Sequence, residues 1–173
     1  MSGLPETALR HEATQPLARL KKILWYWLPA VAWMAMVLAA SSDPFSARNT
    51  GEILHAALAW IFGQMDAATF GLLHFLVRKS AHFTEYAILS ALWFRAIRVH
   101  LTSPWRVRWA LIGLIISLSV AILDELHQTF VPSRTGSAHD VLLDFCGALF
   151  AQFLIWHALR RRAPAAAGAG LPS

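Results

Sequence analysis

From Ile23 to Ala40 the chain runs without a charged side chain, and this run limits the fold more than any other feature. A helix rises ~1.5 Å per residue, so such a run crosses most of a hydrocarbon core of ~30 Å. Pro29 lies inside it, which membrane helices tolerate because neighbouring groups satisfy the freed carbonyl. Ala39-Ala40-Ser41 loosely suits a signal peptidase. The run is nevertheless longer than the roughly 7–15 residues of a signal core, so it reads as a retained span.

Composition agrees. Hydrophobic residues make up 57% of the 173 residues and charged residues only 14%, where a soluble domain would carry roughly a quarter charged. Mean hydropathy is +0.48. Most side chains therefore meet an apolar solvent. The length suits one domain. The single cysteine, Cys146, excludes an internal disulfide and reads as packing. A net charge of +5 can signal nucleic acid. There is, however, no nucleic-acid motif and no basic face interleaved with stacking aromatics outside the apolar spans.

The pattern predicts an all-α polytopic membrane bundle of about four transmembrane helices, spanning about 23–40, 80–99, 105–128 and 138–159. Residues 1–22 form a polar, basic N-terminal segment. Ser42-Asp43-Pro44 reads as a turn. Two apolar stretches, 52–63 and 66–77, are too short to span and read as interfacial or re-entrant helices between the first and second spans. Thr102-Ser103-Pro104 is a connector, and 129–137, with Pro132 and Gly136, is a loop. The transmembrane domain covers 23–159, and the Ala/Gly/Pro-rich tail 160–173 is expected to be disordered.

Orientation follows from Lys and Arg placement. With the N-terminus inside, the inner segments hold Arg10, Arg19, Lys21 and Lys22, then Arg95, Arg98, Arg106 and Arg108, then Arg160, Arg161 and Arg162. The outer segments hold only Arg48, Arg78, Lys79 and Arg134. Trp25, Trp27, Trp93, Trp105, Trp109 and Trp156 all fall near the inner boundary, as an aromatic belt would. Both termini are thus expected in the cytoplasm.

Ionisable residues inside spans cost on the order of 2.5–3.5 kcal/mol each and tend to mark function. His82 lies sixteen residues before Arg98, Asp124 sixteen after Arg108, and Asp144 sixteen before Arg160. All three are therefore expected ~24 Å above the inner arginines, in one layer near the outer edge of the hydrocarbon. Lys79, His82, Glu85 and Tyr86 share one helix face. Asp124, Glu125 and Gln128 gather on the next span, and Asp140 and Asp144 on the last. Arg134 joins them from the loop. Gly147 and Ala151 form a small-xxx-small pattern that lets a helix approach closely. Plainer roles exist: a strut for His82, an ion pair for Glu85 with Lys79 or Arg134, a helix-terminal position for Asp140. His55, His74, His100, His127, His139 and His157 receive no role.

Two stretches carry a family resemblance. One is Lys79-Ser80-Ala81-His82-Phe83-Thr84-Glu85-Tyr86. The other runs from Asp124-Glu125-Leu126-His127-Gln128-Thr129-Phe130-Val131-Pro132-Ser133-Arg134 to Asp140-Val141-Leu142-Leu143-Asp144 and Gly147. With Ser41-Ser42, the chain resembles the VanZ-like family of bacterial membrane proteins over about residues 23–158. Family members often carry Asn where this chain has Asp144 and a second glycine where it has Ala151. The resemblance implies the bacterial cytoplasmic membrane and its envelope. The family's namesake contributes to resistance to the glycopeptide teicoplanin, but the family supplies no settled biochemical activity.

Three functions fit. The first is binding or modulating an anionic envelope component, a lipid-linked precursor or a lipoglycopeptide antibiotic, with Lys79 and Arg134 as cations. Its ligand set is Lys79, His82, Glu85, Tyr86, Asp124, Glu125, Gln128, Arg134, Asp140 and Asp144. The second is a membrane-embedded hydrolase or transferase on a lipid-linked substrate, with His82, Glu85, Asp124 and Glu125 as catalytic candidates. With Asp144, these residues suit a divalent metal or acid–base chemistry, although neither an HExxH helix nor a paired-cysteine zinc site is present. The third is a small proton-coupled transporter. No cofactor is expected, a divalent metal entering only as an alternative under the enzyme reading. The expected partners are membrane lipids and an anionic envelope lipid or cell-wall precursor.

Overall fold

The structure, a computed structural model, describes residues 6–42, 47–63, 65–98, 105–132, 134 and 136–161. Most of the turn at 42–44, the connector 102–104, His100, Ser133, Arg162 and the tail beyond it lie outside the described residues, as does the side chain of Arg48. The described residues are almost entirely helical: α1 Glu6–Ala40, α2 Ala47–Phe62, α3 Ala67–Ile97, α4 Val107–Gln128 and α5 Ala138–Arg161. By length and apolarity, three helices can cross a membrane: Pro16–Ala40, Val107–Gln128 and Ala138–Arg161. The bent pair Gly51–Phe62 and Ala67–Ile97 passes the same test only together, as a fourth.

Boundaries differ from expectation in two places. Helix α1 begins well before Ile23, because from Glu6 onward the basic segment ahead of the apolar run has no glycine and only one proline, Pro16, to oppose helix. Segments 66–77 and 80–99 are joined in one 31-residue helix, α3. Arg78, Lys79 and Ser80 interrupt the hydropathy but contain neither Gly nor Pro, so the backbone continues. The real break is Gly63, whose φ of +79° only glycine adopts without strain. Asp66 then caps α3, its Oδ1 accepting from Ala68 N and Thr69 N at 2.9 Å each. Helix α2 folds back over the start of α3, with the His55 and Phe70 rings 4.7 Å apart.

Helix α3 contacts all four others. It runs antiparallel to α1: Trp33 Nε1 donates to Glu85 O at 3.0 Å, and Arg95 Nη2 to Trp25 O at 3.3 Å. It runs parallel to α5. There Gly147 meets the Phe83 backbone so closely that any Cβ would collide with it, and Ala148 and Ala151 are buried beside it. The small-xxx-small pattern thus sets the α3–α5 spacing. Helix α4 closes the triangle, with Gly113 against Ser90 O and Gln152 Nε2.

The chain is inside-out by the standard of soluble proteins. The largest fully buried side chains include Asp144, Gln128, Ser90 and Ser117 beside Tyr86 and Leu89, while Trp25, Leu28, Ile115, Leu126 and Leu142 point outward. That distribution is stable only if the surrounding medium is lipid. Cys146, expected to pack, lies exposed because the buried stripe of α5 passes through Asp144, Gly147, Ala148 and Ala151 instead.

Candidate functional site

At the end of the bundle where α1 and α4 finish, a cavity of about 450 Å³ opens between α1, α2, α3 and α4. Its two sides differ in chemistry. Val37 of α1, Ile53, Leu54 and Ala57 of α2, and Val77 of α3 give an apolar wall. His74, Arg78, His82 and Glu85 of α3, Asp124 and Gln128 of α4, and Arg134 of the following loop give a polar one. The polar wall follows from helical spacing. Residues 78, 82 and 85, and likewise 124 and 128, recur at three- and four-residue steps and so share a face.

Behind the wall the expected layer forms. One donor atom each from His82, Asp124, Glu125 and Asp144 lies within 4.8 Å of the others. His82 Nδ1 stands 3.4 Å from Asp144 Oδ1, close enough for an ion pair but without hydrogen-bond alignment. Asp144 is fully buried, yet neither of its carboxylate oxygens accepts a hydrogen bond among the described residues. Asp124 Oδ1 and the Tyr86 hydroxyl are buried in the same condition.

Glu125 is better supplied. Its Oε2 accepts from Ser137 N at 2.7 Å, which ties the start of α5 to α4. Gln128 Nε2 reaches Asp124 Oδ2 at 3.2 Å and Glu125 Oε1 at 3.4 Å. The loop can fold back this far because Gly136 packs on the Glu125 carbonyl, where a Cβ would not fit. Arg134 Nη2 donates to Ala40 O at 2.8 Å and Ser42 O at 3.3 Å, holding the loop to the end of α1 while the side chain lines the cavity.

The structure therefore draws together His82, Glu85, Tyr86, Asp124, Glu125, Gln128, Asp144 and Arg134. Lys79 and Asp140 stand apart: they form an ion pair with each other between α3 and α5, and neither lines the cavity. Sequence reasoning gave no role to Arg78 or His74, or to Ser41, whose buried hydroxyl lacks a partner at the cavity edge. The return of α2 onto α3 is what makes a cavity at their level, and spacing alone carries no sign of it.

These features define a polytopic membrane protein with a layer of buried, incompletely partnered ionisable groups beside an amphipathic cavity. The chain belongs to the VanZ/LLP1 family, whose profile matches residues 26–160, most of the chain. No curated protein and no solved structure matches it.

Proposed function

We propose that this protein binds an amphiphilic component of the bacterial envelope, such as a lipid-linked precursor or a lipoglycopeptide antibiotic. The acyl or prenyl part lies on the apolar wall and the anionic head on the polar one. The observation carrying this reading is the division of one cavity into the Leu54–Ala57 side and the Arg78–Glu85–Arg134 side. An apolar ligand body held by a few placed polar groups is the usual form of a small-molecule site. Arg134 and Arg78 supply the positive charge for the head. Lys79 is held in its ion pair with Asp140, away from the cavity lining.

The chain is read as lying in the cytoplasmic membrane with both termini in the cytoplasm. Arg95, Arg106, Arg108 and Arg160 share the end of the bundle opposite the cavity, in line with the positive-inside rule. The cavity then faces the outer leaflet, where cell-wall precursors and glycopeptides are met, which fits a part in glycopeptide resistance. A second reading, a hydrolase or transferase on the same amphiphile, draws support from the His82–Asp124–Glu125–Asp144 cluster next to the cavity.

The test is mass spectrometry of lipids that co-purify with the full chain. An acidic amphiphile enriched over the bulk membrane is expected. It should be depleted in Leu54→Asp and in Arg78→Ala, and the associated phenotype should disappear in Glu85→Gln, Asp124→Asn and Arg134→Ala at normal membrane levels. Lipid content identical to bulk membrane in wild type and variants would contradict the reading.

A further inference from the structure

We propose that His82, Asp124, Glu125 and Asp144 hold one divalent metal ion, of the manganese or zinc type, at the back of the cavity's polar wall. The cluster alone would be only a group of acids. What points to a ligand is the state of its members. Asp144 is fully buried and neither oxygen accepts a hydrogen bond among the described residues, its one charged contact being His82 Nδ1 at 3.4 Å, and Asp124, 2% exposed, leaves Oδ1 without a hydrogen bond. His82 Nδ1, buried beside them, likewise makes no aligned hydrogen bond among the described residues, only its 3.4 Å contact with Asp144. Buried carboxylates are paired or coordinate metals, because an uncompensated charge in low dielectric is expensive. Elsewhere in the bundle single polar atoms such as Gln152 Oε1 also go without a hydrogen bond among the described residues, but here carboxylate oxygens from two helices do so side by side.

The spacing suits an ion. Ligand atoms ~2.1 Å from a common metal lie roughly 3.0–3.4 Å apart when adjacent and ~4.2 Å apart when opposite. His82 Nδ1 and Asp144 Oδ1 are 3.4 Å apart, and the whole set spans no more than 4.8 Å. The outermost pair has to close by about 0.6 Å as an opposite pair of an octahedral manganese site, and by about 1.4 Å in a tetrahedral zinc site. One imidazole with several carboxylates is a donor set for manganese or zinc; magnesium prefers oxygen alone. Glu125, already accepting from Ser137 N, keeps one oxygen turned by its contact with the start of α5 and serves as the fourth, pre-oriented ligand.

This inference deepens the proposed function, on which its link to a ligand rests. His82 and Asp124 also line the cavity, so an ion held there is reached by a head group from the cavity side. It lets an acidic cluster sit beside an anionic head: the metal supplies the positive charge between them.

The experiment strips the purified full chain with a chelator and titrates it with manganese or zinc chloride, with no amphiphile added. Bound metal is counted by elemental mass spectrometry and affinity is read by calorimetry. One ion per chain is expected. Asp144→Asn and His82→Ala should each weaken binding by at least tenfold, and Glu52→Gln, on α2 away from the cluster, should bind as wild type. If Asp144→Asn does not fold, the near-isosteric Asp124→Asn gives the same reading. No uptake by wild type, or wild-type affinity in the cluster variants, overturns the proposal. Lipid retention is measured separately, so failure of the ion leaves the cavity reading standing, and failure of lipid retention leaves the ion standing.

Discussion

Two polar layers cross this bundle, one near its middle and one toward the cavity end, and they differ in one respect. The first holds Ser90, Gly113, Ser117 and Gln152. The second, two helical turns or ~12 Å away along α3, holds His82, Tyr86, Asp124, Glu125 and Asp144. In the first, Gln152 Nε2 donates to Ser90 Oγ at 2.8 Å and to Ser90 O at 3.1 Å, and Ser117 Oγ to Gly113 O at 2.9 Å. Only Gln152 Oε1 is left bare. In the second, four groups on three helices lack hydrogen-bond partners altogether or in part among the described residues. Both layers are largely buried, the second departing only at His82, which is partly exposed to the cavity. Burial of polar side chains in a membrane bundle is thus no sign of function in itself. The informative property is incomplete satisfaction, since a layer built only to join helices would close its own hydrogen bonds.

The comparison can be broken by four substitutions. The largest effect is expected from Gly147→Leu, which forces a side chain into the Phe83 backbone and separates α3 from α5 at the second layer. It should cost about 3 kcal/mol or more, seen as a drop in thermal unfolding temperature in detergent; wild-type stability would show that the two helices do not pack as closely as described. Asp144→Asn comes next. Metal affinity and amphiphile retention should fall about tenfold or more, while the unfolding temperature falls less than in Gly147→Leu, because the substitution removes a buried charge but also opens its ion pair with His82. Gln152→Leu should do the reverse. It breaks both bonds to Ser90 and costs about 1 kcal/mol, with ligand binding retained by the protein that folds. Lys79→Ala, which opens a partly exposed ion pair with Asp140, is expected to shift stability by about 0.5 kcal/mol, measured as a salt-sensitive change in unfolding temperature.

Much of this arrangement is legible in the amino acids, and the limits have physical causes. The apolar runs name the spans because lipid demands them. The equal sixteen-residue offsets of His82, Asp124 and Asp144 from the arginines place them in one layer because helical rise is constant. Gly147 announces close packing because it has little other reason to lie in a span. The unbroken course of α3 is not legible: Arg78 and Lys79 end a hydropathic run without ending a helix. The Lys79–Asp140 pair and the turning of Arg134 toward Ala40 O depend on how helices rotate about their axes, which depth counting leaves undetermined. Ser90 and Gln152 go unnoticed because an uncharged polar residue barely alters hydropathy. The cavity depends on α2 folding back at Gly63, a tertiary event with a one-residue signature.

The central claim is that the incompletely partnered layer is reached from the cavity while the satisfied layer is sealed. In a Cys146→Ser background, Glu85→Cys and Ser90→Cys are treated in intact cells with a membrane-impermeant maleimide. Glu85 lines the cavity and Ser90 is fully buried. The account predicts that Glu85→Cys is labelled from outside the cell and Ser90→Cys is not. Equal labelling of the two, or labelling of Glu85→Cys only after the cytoplasmic side is exposed, would contradict it.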